Sequence, residues 1–234
     1  MNGELDYIKR NLYSVMERIE KAAQKSGRSA KDITLVAVTK TVEPERIMKI
    51  LDEGVVDLGE NRVQELTKKY DILNSRKCKW HLIGHLQTNK VKYIVDKVSL
   101  IHSVDRIELA REIQKRAESV GKTVDVLVQV NVSGEKSKFG VSVDDAYGLV
   151  REISFMPNIR VKGLMTMAPY AENPESVRYV FSKLRDLSID IGKEKFDNSN
   201  MEILSMGMSN DFEIAIEEGA NMVRIGTALF GSRS

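Results

Sequence analysis

The chain alternates between two hydrophobic periods. Residues 4 to 27 place Ile8, Leu12, Val15, Ile19 and Ala22 at helical spacing, with Glu, Lys and Arg between them and Gly27 placed to end the helix. The next run, Ile33 to Thr39, is continuous, apolar and rich in β-branched residues, which predicts a strand buried on both faces. Helical spacing returns from Glu43 to Glu53, where Ile47, Ile50 and Leu51 share a stripe. Further strands are predicted at Val55 to Gly59, Lys79 to Gly84, Ser99 to Val104, Val124 to Asn131, Val161 to Met165, Glu202 to Ser205 and Met222 to Gly226. Between them, helices are predicted from near Glu60, then over Asn89 to Val95, Asp105 to Val120, Val143 to Phe155, Pro174 to Gly192 and Asn210 to Glu218. Eight strands alternating with helices predict an α/β chain forming a (β/α)8 TIM barrel with an extra N-terminal helix. The competing open doubly wound sheet lacks its signature, since no glycine-rich dinucleotide or P-loop fingerprint follows a strand.

Composition narrows the class. At 234 residues the chain suits a single domain, 1–234, with no linker or low-complexity stretch to divide it. A net charge of +2 is too small to argue for nucleic acid or an anionic membrane. The single cysteine, Cys78, excludes an internal disulfide and fits a reducing compartment. No signal-peptide core or membrane-length apolar run is present, so the expected location is cytoplasmic.

In such a barrel the chemistry gathers at the C-terminal ends of the strands. Read in order, those ends are Lys40, Asn61, His85, Asn131, Met165, Ser209 and Arg224. A lysine there is either a solvated side chain or a Schiff-base nucleophile. After the seventh strand, Gly207 would let backbone approach a ligand, and Ser209 or Asn210 would cap a helix, with Glu213 completing a capping box. That helix start suits an anion, although Asp211 and Glu213 could satisfy it without one. Gly226 and Thr227 offer amides and a hydroxyl beside it. Two such loops facing a lysine suggest a phosphorylated aldehyde or ketone. Arg224, set in an apolar run, would be costly to bury without an acceptor. It faces either a ligand's pyridine nitrogen, to which it can only donate, or a barrel carboxylate such as Glu60.

Seven ordered blocks carry a family resemblance. They are Ala37 to Thr41, Gly59 to Glu65, His81 to Lys90, Asn131 to Gly140, Gly163 to Met167, Leu204 to Ser209 and Val223 to Gly231. Spanning nearly the whole chain, they resemble the pyridoxal phosphate homeostasis proteins, also called the proline-synthetase-co-transcribed family. The resemblance implies an alanine-racemase-like barrel of fold type III with pyridoxal 5′-phosphate (PLP) as cofactor. It implies an internal aldimine on Lys40, with Ser209, Gly226 and Thr227 at the phosphate, Arg224 at the pyridine nitrogen and Asn61 near the ring. It assigns no catalytic residue and no metal.

Related racemases add a second acid–base group from a C-terminal domain, and this sequence ends at Ser234, just after the eighth strand. The expectation is therefore a monomeric PLP carrier or buffer, with PLP and apo PLP-dependent enzymes as partners and neither nucleic acid nor membrane. Weak racemisation with Lys40 as the one base is the alternative, and a Schiff-base aldolase on a sugar phosphate is a more distant one. Lys68 and Lys69, with Arg76, Lys77 and Lys79, read as a solvated loop, since no aromatic platform accompanies them. His81 and His85 straddle a strand end without a third metal ligand. His85 reads as a contact to ligand or solvent at the mouth, and His81 and His102 as strand packing. Cys78 has no activating partner. Met165, Met167, Met206 and Met208 read as adaptable core lining. Ser133 to Lys138 reads as a mobile loop over the site.

Overall fold

A computed structural model describes residues 6–231 except Asn74 and Lys136. Eight parallel strands close into a barrel in sequence order: β1 (Thr34–Val38), β2 (Asp57–Glu60), β3 (Lys79–Leu82), β4 (Val98–Val104), β5 (Val124–Gln129), β6 (Ile159–Met165), β7 (Ser199–Ser205) and β8 (Met222–Ile225). The seam is β1 against β8, in register from Thr34 opposite Met222 to Ala37 opposite Ile225. The period of two sends alternate side chains inward. Val36, Leu100, Leu127, Met165 and Met222 fill the barrel as one buried cluster. A larger cluster lies between the strands and the surrounding helices.

Those helices are α1 (Asp6–Lys25), α2 (Pro44–Asp52), α3 (Val63–Leu73), α4 (Ile107–Ser119), α5 (Val143–Ser154), α6 (Arg178–Lys193), α7 (Phe212–Glu217) and α8 (Thr227–Phe230). The first is the extra N-terminal helix expected from the sequence, although Glu4 and Leu5 of its predicted span lie outside the described residues. Its apolar stripe, Ile8, Leu12, Val15, Ile19 and Ala22, is buried. It packs on α2, α7 and α8. Tyr7 Oη and Asn11 Nδ2 donate to the carbonyls of Phe230 and Leu229 at 3.3 and 3.0 Å, and Arg18 pairs with Glu213 at 2.7 Å. The helix therefore braces the two elements that follow β7 and β8.

Several boundaries differ from the sequence reading. The second strand starts at Asp57 because Val55 N–H closes the end of α2 on the Ile50 carbonyl, with Gly54 at φ 89°. It also runs on to Glu60, so α3 begins only at Val63. The helix predicted over Asn89 to Val95 is a 3₁₀ helix, Thr88–Tyr93, whose three-residue turn stacks buried Val91 and Ile94. Lys69 is not in a solvated loop. It sits within α3 and is 7% exposed.

Candidate functional site

The turn after β1 is pinned on both sides of Lys40. Thr39 Oγ1 donates to Glu60 Oε1 at 2.6 Å. Lys69 Nζ donates to Glu60 Oε1 at 2.7 Å and to the Thr39 carbonyl at 2.6 Å. On the other side, Thr41 N–H donates to Glu65 Oε2 at 2.9 Å. Thr41 has φ 60°, a conformation that is costly for a β-branched residue and that persists where surrounding contacts enforce it. A strained, doubly anchored turn presents Lys40 at the barrel mouth. Glu60 is fully buried, and desolvation pushes its carboxyl up, with Lys69 and Thr39 partly offsetting that. Glu60 therefore belongs to Lys69 and not to Arg224.

Across the mouth, Gly207 has φ 91°, and a Cβ there would stand 2.6 Å from Ala215 Cβ and 2.8 Å from Phe212 Cα. Packing against α7 by itself requires a glycine here. The N-cap of α7 is Asp211, neither Ser209 nor Asn210, so Glu213 falls at the second helical position instead of the third, forms no capping box, and accepts from Arg18. Asp211 Oδ1 accepts the Met208 N–H at 2.6 Å, while burial pushes the carboxyl up. Ser209 is thus released from capping. Its Oγ accepts the Ala228 N–H at 3.2 Å, which ties the β7 loop to α8, whose N-cap is Gly226.

These elements enclose a cavity of about 560 Å3. All six residues singled out in the sequence line it: Lys40, Asn61, Ser209, Arg224, Gly226 and Thr227. His85, Asn131 and Met165 do not. His85 stacks on Phe139 with centroids 4.1 Å apart and lines a neighbouring polar pocket with Arg62 and Lys90. Asn131 holds the following loop, donating to the carbonyls of Glu135 and Lys138 and accepting from Ser133 and Gly134. Lys136 of that loop lies outside the described residues. Met165 and Met206 are core, but Met167 and Met208 line the cavity, so the methionine group divides at the strand ends. The apolar walls Val38 and Ile83 were not foreseen from the sequence, nor was Tyr170, an 84% exposed aromatic whose only signal was its place just after β6.

Arg224 is 3% exposed and donates to Ser205 Oγ at 2.6 Å and to the Thr166 carbonyl at 2.9 Å. Burial lowers its pKa to about 10. His81 and His102 are more than packing, for their rings are hydrogen-bonded to each other at 2.9 Å. Burial, reinforced by His81 and Arg224, holds His102 well below the ordinary 6.5. Above pH 6.5 both folded and unfolded chains carry this imidazole neutral. As pH falls, the unfolded chain takes up the proton first, so stability is lost downward from 6.5 until the folded group also titrates. His102 alone is expected to contribute a slope approaching ~1.4 kcal/mol per pH unit in that window. Urea midpoints for wild type should fall between about pH 7 and pH 5, and His102→Gln should be less stable but flatter with pH. An equal pH slope in the two proteins would contradict the assignment. Cys78 is half-buried, and burial pushes its thiol up, away from reactivity. Among the described residues no three His, Cys, Asp or Glu side chains gather as a metal site.

A family model described as the alanine racemase N-terminal domain matches residues 5–234. The pyridoxal phosphate homeostasis protein of Aquifex aeolicus is 51% identical over 222 residues, covering 95% of this chain and 96% of its own. The chain belongs to the pyridoxal phosphate homeostasis protein family. A solved structure within reach of this family, PipY of Synechococcus elongatus with PLP bound, is 30% identical, with a TM-score of 0.78 over 86% of this chain and 93% of that one. An alanine racemase from Clostridium difficile, 17% identical, shares the barrel at a TM-score of 0.70 over 97% of this chain and 57% of its own. That likeness shows the fold alone.

Proposed function

We propose that the protein serves PLP homeostasis by holding the cofactor reversibly at Lys40 and then releasing it. The observation that carries the reading is one cavity lined by the strand-end amine of Lys40, the hydroxyls of Ser209 and Thr227, the amide of Asn61 and the buried guanidinium of Arg224, between apolar walls. The donor set fits a phosphorylated aromatic aldehyde. Asn61 Oδ1 is buried and has no hydrogen-bond partner among the described residues, as expected of a side chain that completes its contacts on a ligand.

When bound, PLP supplies an aldehyde that condenses reversibly with a primary amine. Lys40 provides that amine, and its strained turn keeps it at the mouth. The hydroxyls of Ser209 and Thr227, with the backbone at Gly226, would hold the phosphate. Arg224 would donate to the pyridine nitrogen and, being unable to accept, would leave that nitrogen unprotonated. Asn61 would lie near the ring, with Val38, Ile83, Met167 and Met208 excluding water. The lining holds no carboxylate, histidine or cysteine among the described residues, and Glu60 is turned away toward Lys69. This supports the carrier reading over an aldolase with an acid beside its lysine. In this role residues 1–234 form one domain that acts as a monomer in the cytoplasm, with apo PLP-dependent enzymes as recipients. No described helix is long and apolar enough to cross a membrane.

The test loads the protein with PLP, removes free cofactor, and adds a small primary amine or an apo-enzyme. PLP should survive desalting, leave on amine addition and activate the apo-enzyme, with amino-acid racemisation no faster than with free PLP. Racemisation above that background would reverse the carrier assignment.

A further inference from the structure

One line of polar groups crosses the barrel interior below the cavity. It runs from Arg224 of β8 to Ser205 of β7, where Nη1 donates to Oγ at 2.6 Å. Ser205 Oγ lies 2.9 Å from His102 Nδ1 on β4. His102 Nε2 lies 2.9 Å from His81 Nδ1 on β3, and His81 Nε2 lies 3.0 Å from Asp57 Oδ1 on β2. Asp57 begins its strand and lines a second cavity of about 360 Å3 at the opposite end of the barrel, beside Thr34, Lys79 and Asp125. Ser205 and His102 are fully buried, and His81 is 3% exposed. Among the described residues no carboxylate forms an ion pair with Arg224, although Asp211 attracts it from a distance.

The hydrogens along this line can be assigned. Arg224 only donates, so Ser205 Oγ accepts from it. A carboxylate only accepts, so His81 Nε2 carries a hydrogen toward Asp57. With His81 neutral, its Nδ1 must accept, which places the His102 hydrogen on Nε2. His102 Nδ1 then accepts the Ser205 hydroxyl. Every contact is satisfied in one arrangement, with all four bonds pointing from the cation to the anion.

We propose that Asp57, His81, His102 and Ser205 are positioning residues for Arg224, forming one donor-to-acceptor line that ties the guanidinium at the mouth to a carboxylate at the far end of the barrel. The line fixes both histidines as Nε2–H tautomers. It also leaves the remaining Arg224 N–H groups to the cavity, which deepens the PLP reading and rests on it for that second part. Aligned hydrogen bonds polarise one another, so a ligand accepting from Arg224 changes the electron density at both rings. Neither His81 nor His102 lines the cavity.

The chain has three histidines, and long-range 15N–1H correlation of their imidazoles separates the tautomers directly. The experiment uses the full wild-type chain at mildly alkaline pH, without cofactor and after loading with PLP, with loading followed by visible absorbance. The expected result is Nε2–H at both His81 and His102 in the unloaded protein, with shifts of both rings on loading. Ser205→Ala should remove the shift at His81 and raise the Kd for PLP about tenfold, as expected for leaving a buried donor and acceptor unpaired. The wild-type spectra decide the matter even if that variant does not fold. An Nδ1–H tautomer at His102, or unmoved rings in a visibly loaded protein, would overturn the proposal and leave the PLP reading intact. Failure to load would instead remove the PLP reading, while the tautomers of the unloaded protein would still test the line.

Discussion

Lys69→Met is expected to destabilise the protein by about 3–5 kcal/mol, as expected when one partner of a buried ion pair is removed. Three facts set the size. Glu60 is fully buried, its Oε2 has no partner among the described residues, and its Oε1 relies on Lys69 and Thr39. Lys69 also supplies the donor to the Thr39 carbonyl, the residue before Lys40. Methionine fills similar space but leaves the carboxyl without its cation. Glu60 already resists ionisation because of burial, so in the variant it is driven further toward the neutral acid. A raised carboxyl pKa means that the contribution is present at acid pH and lost as pH rises through the folded-state value. The deficit of the variant should therefore shrink toward pH 4. The double variant Glu60→Gln, Lys69→Met should recover most of the loss, since no buried charge remains. Urea unfolding measures all three proteins, and a single-variant loss below about 1 kcal/mol would place Lys69 outside this network.

Gly84→Ala is the second large effect, and it reaches the site. A Cβ on Gly84 would stand 2.3 Å from the Asn61 carbonyl oxygen and 2.8 Å from its Cα. Both are backbone atoms, so no rotamer change can relieve the overlap, and the end of β2 must move. Overpacking of this kind costs about 1–3 kcal/mol. The functional cost is larger in proportion, because Asn61 lines the Lys40 cavity. Retention of PLP should fall about tenfold or more, with each tenfold equal to ~1.4 kcal/mol. Gly192→Ala in α6 is the control, since its Cβ would meet only the Met201 side chain at 3.6 Å. It should bind PLP normally. Equal retention by Gly84→Ala and wild type would show that Asn61 does not need its present position.

The barrel was legible because its strands are apolar runs whose burial and β-branching agree, as in Val124 to Gln129. Helix α1 was legible because the stripe from Ile8 to Ala22 is buried along its whole length, joined only by Ala23 among the described residues. The polar residues of the cavity, from Lys40 and Asn61 to Arg224, were legible because strand ends in a parallel barrel share one face, whereas its walls Val38, Ile83 and Tyr170 were not. What escaped depends on partners distant in sequence. Lys69 follows Lys68 in a polar stretch, and nothing local reveals that Glu60 and the Thr39 carbonyl await its ammonium. His81, His102 and Ser205 are single polar residues in three separate strands. They become a line only when β4 and β7 face each other across the closed barrel. The capping motif around Ser209 was misplaced by one or two residues because the helix starts only after Asp211, whose Oδ1 accepts the Met208 N–H and caps no helical amide, and that later start leaves Glu213 at the second helical position, where it pairs with Arg18.

The most direct test is the position of a reduced pyridoxyl group. The protein would be incubated with PLP, its visible absorbance recorded, then treated with borohydride, digested and mapped by peptide mass. Visible absorbance that borohydride abolishes, a label on the peptide bearing Lys40, and neither signal in Lys40→Ala are the expected results. A label confined to another lysine, or a protein that stays colourless with added PLP, would contradict PLP binding at Lys40.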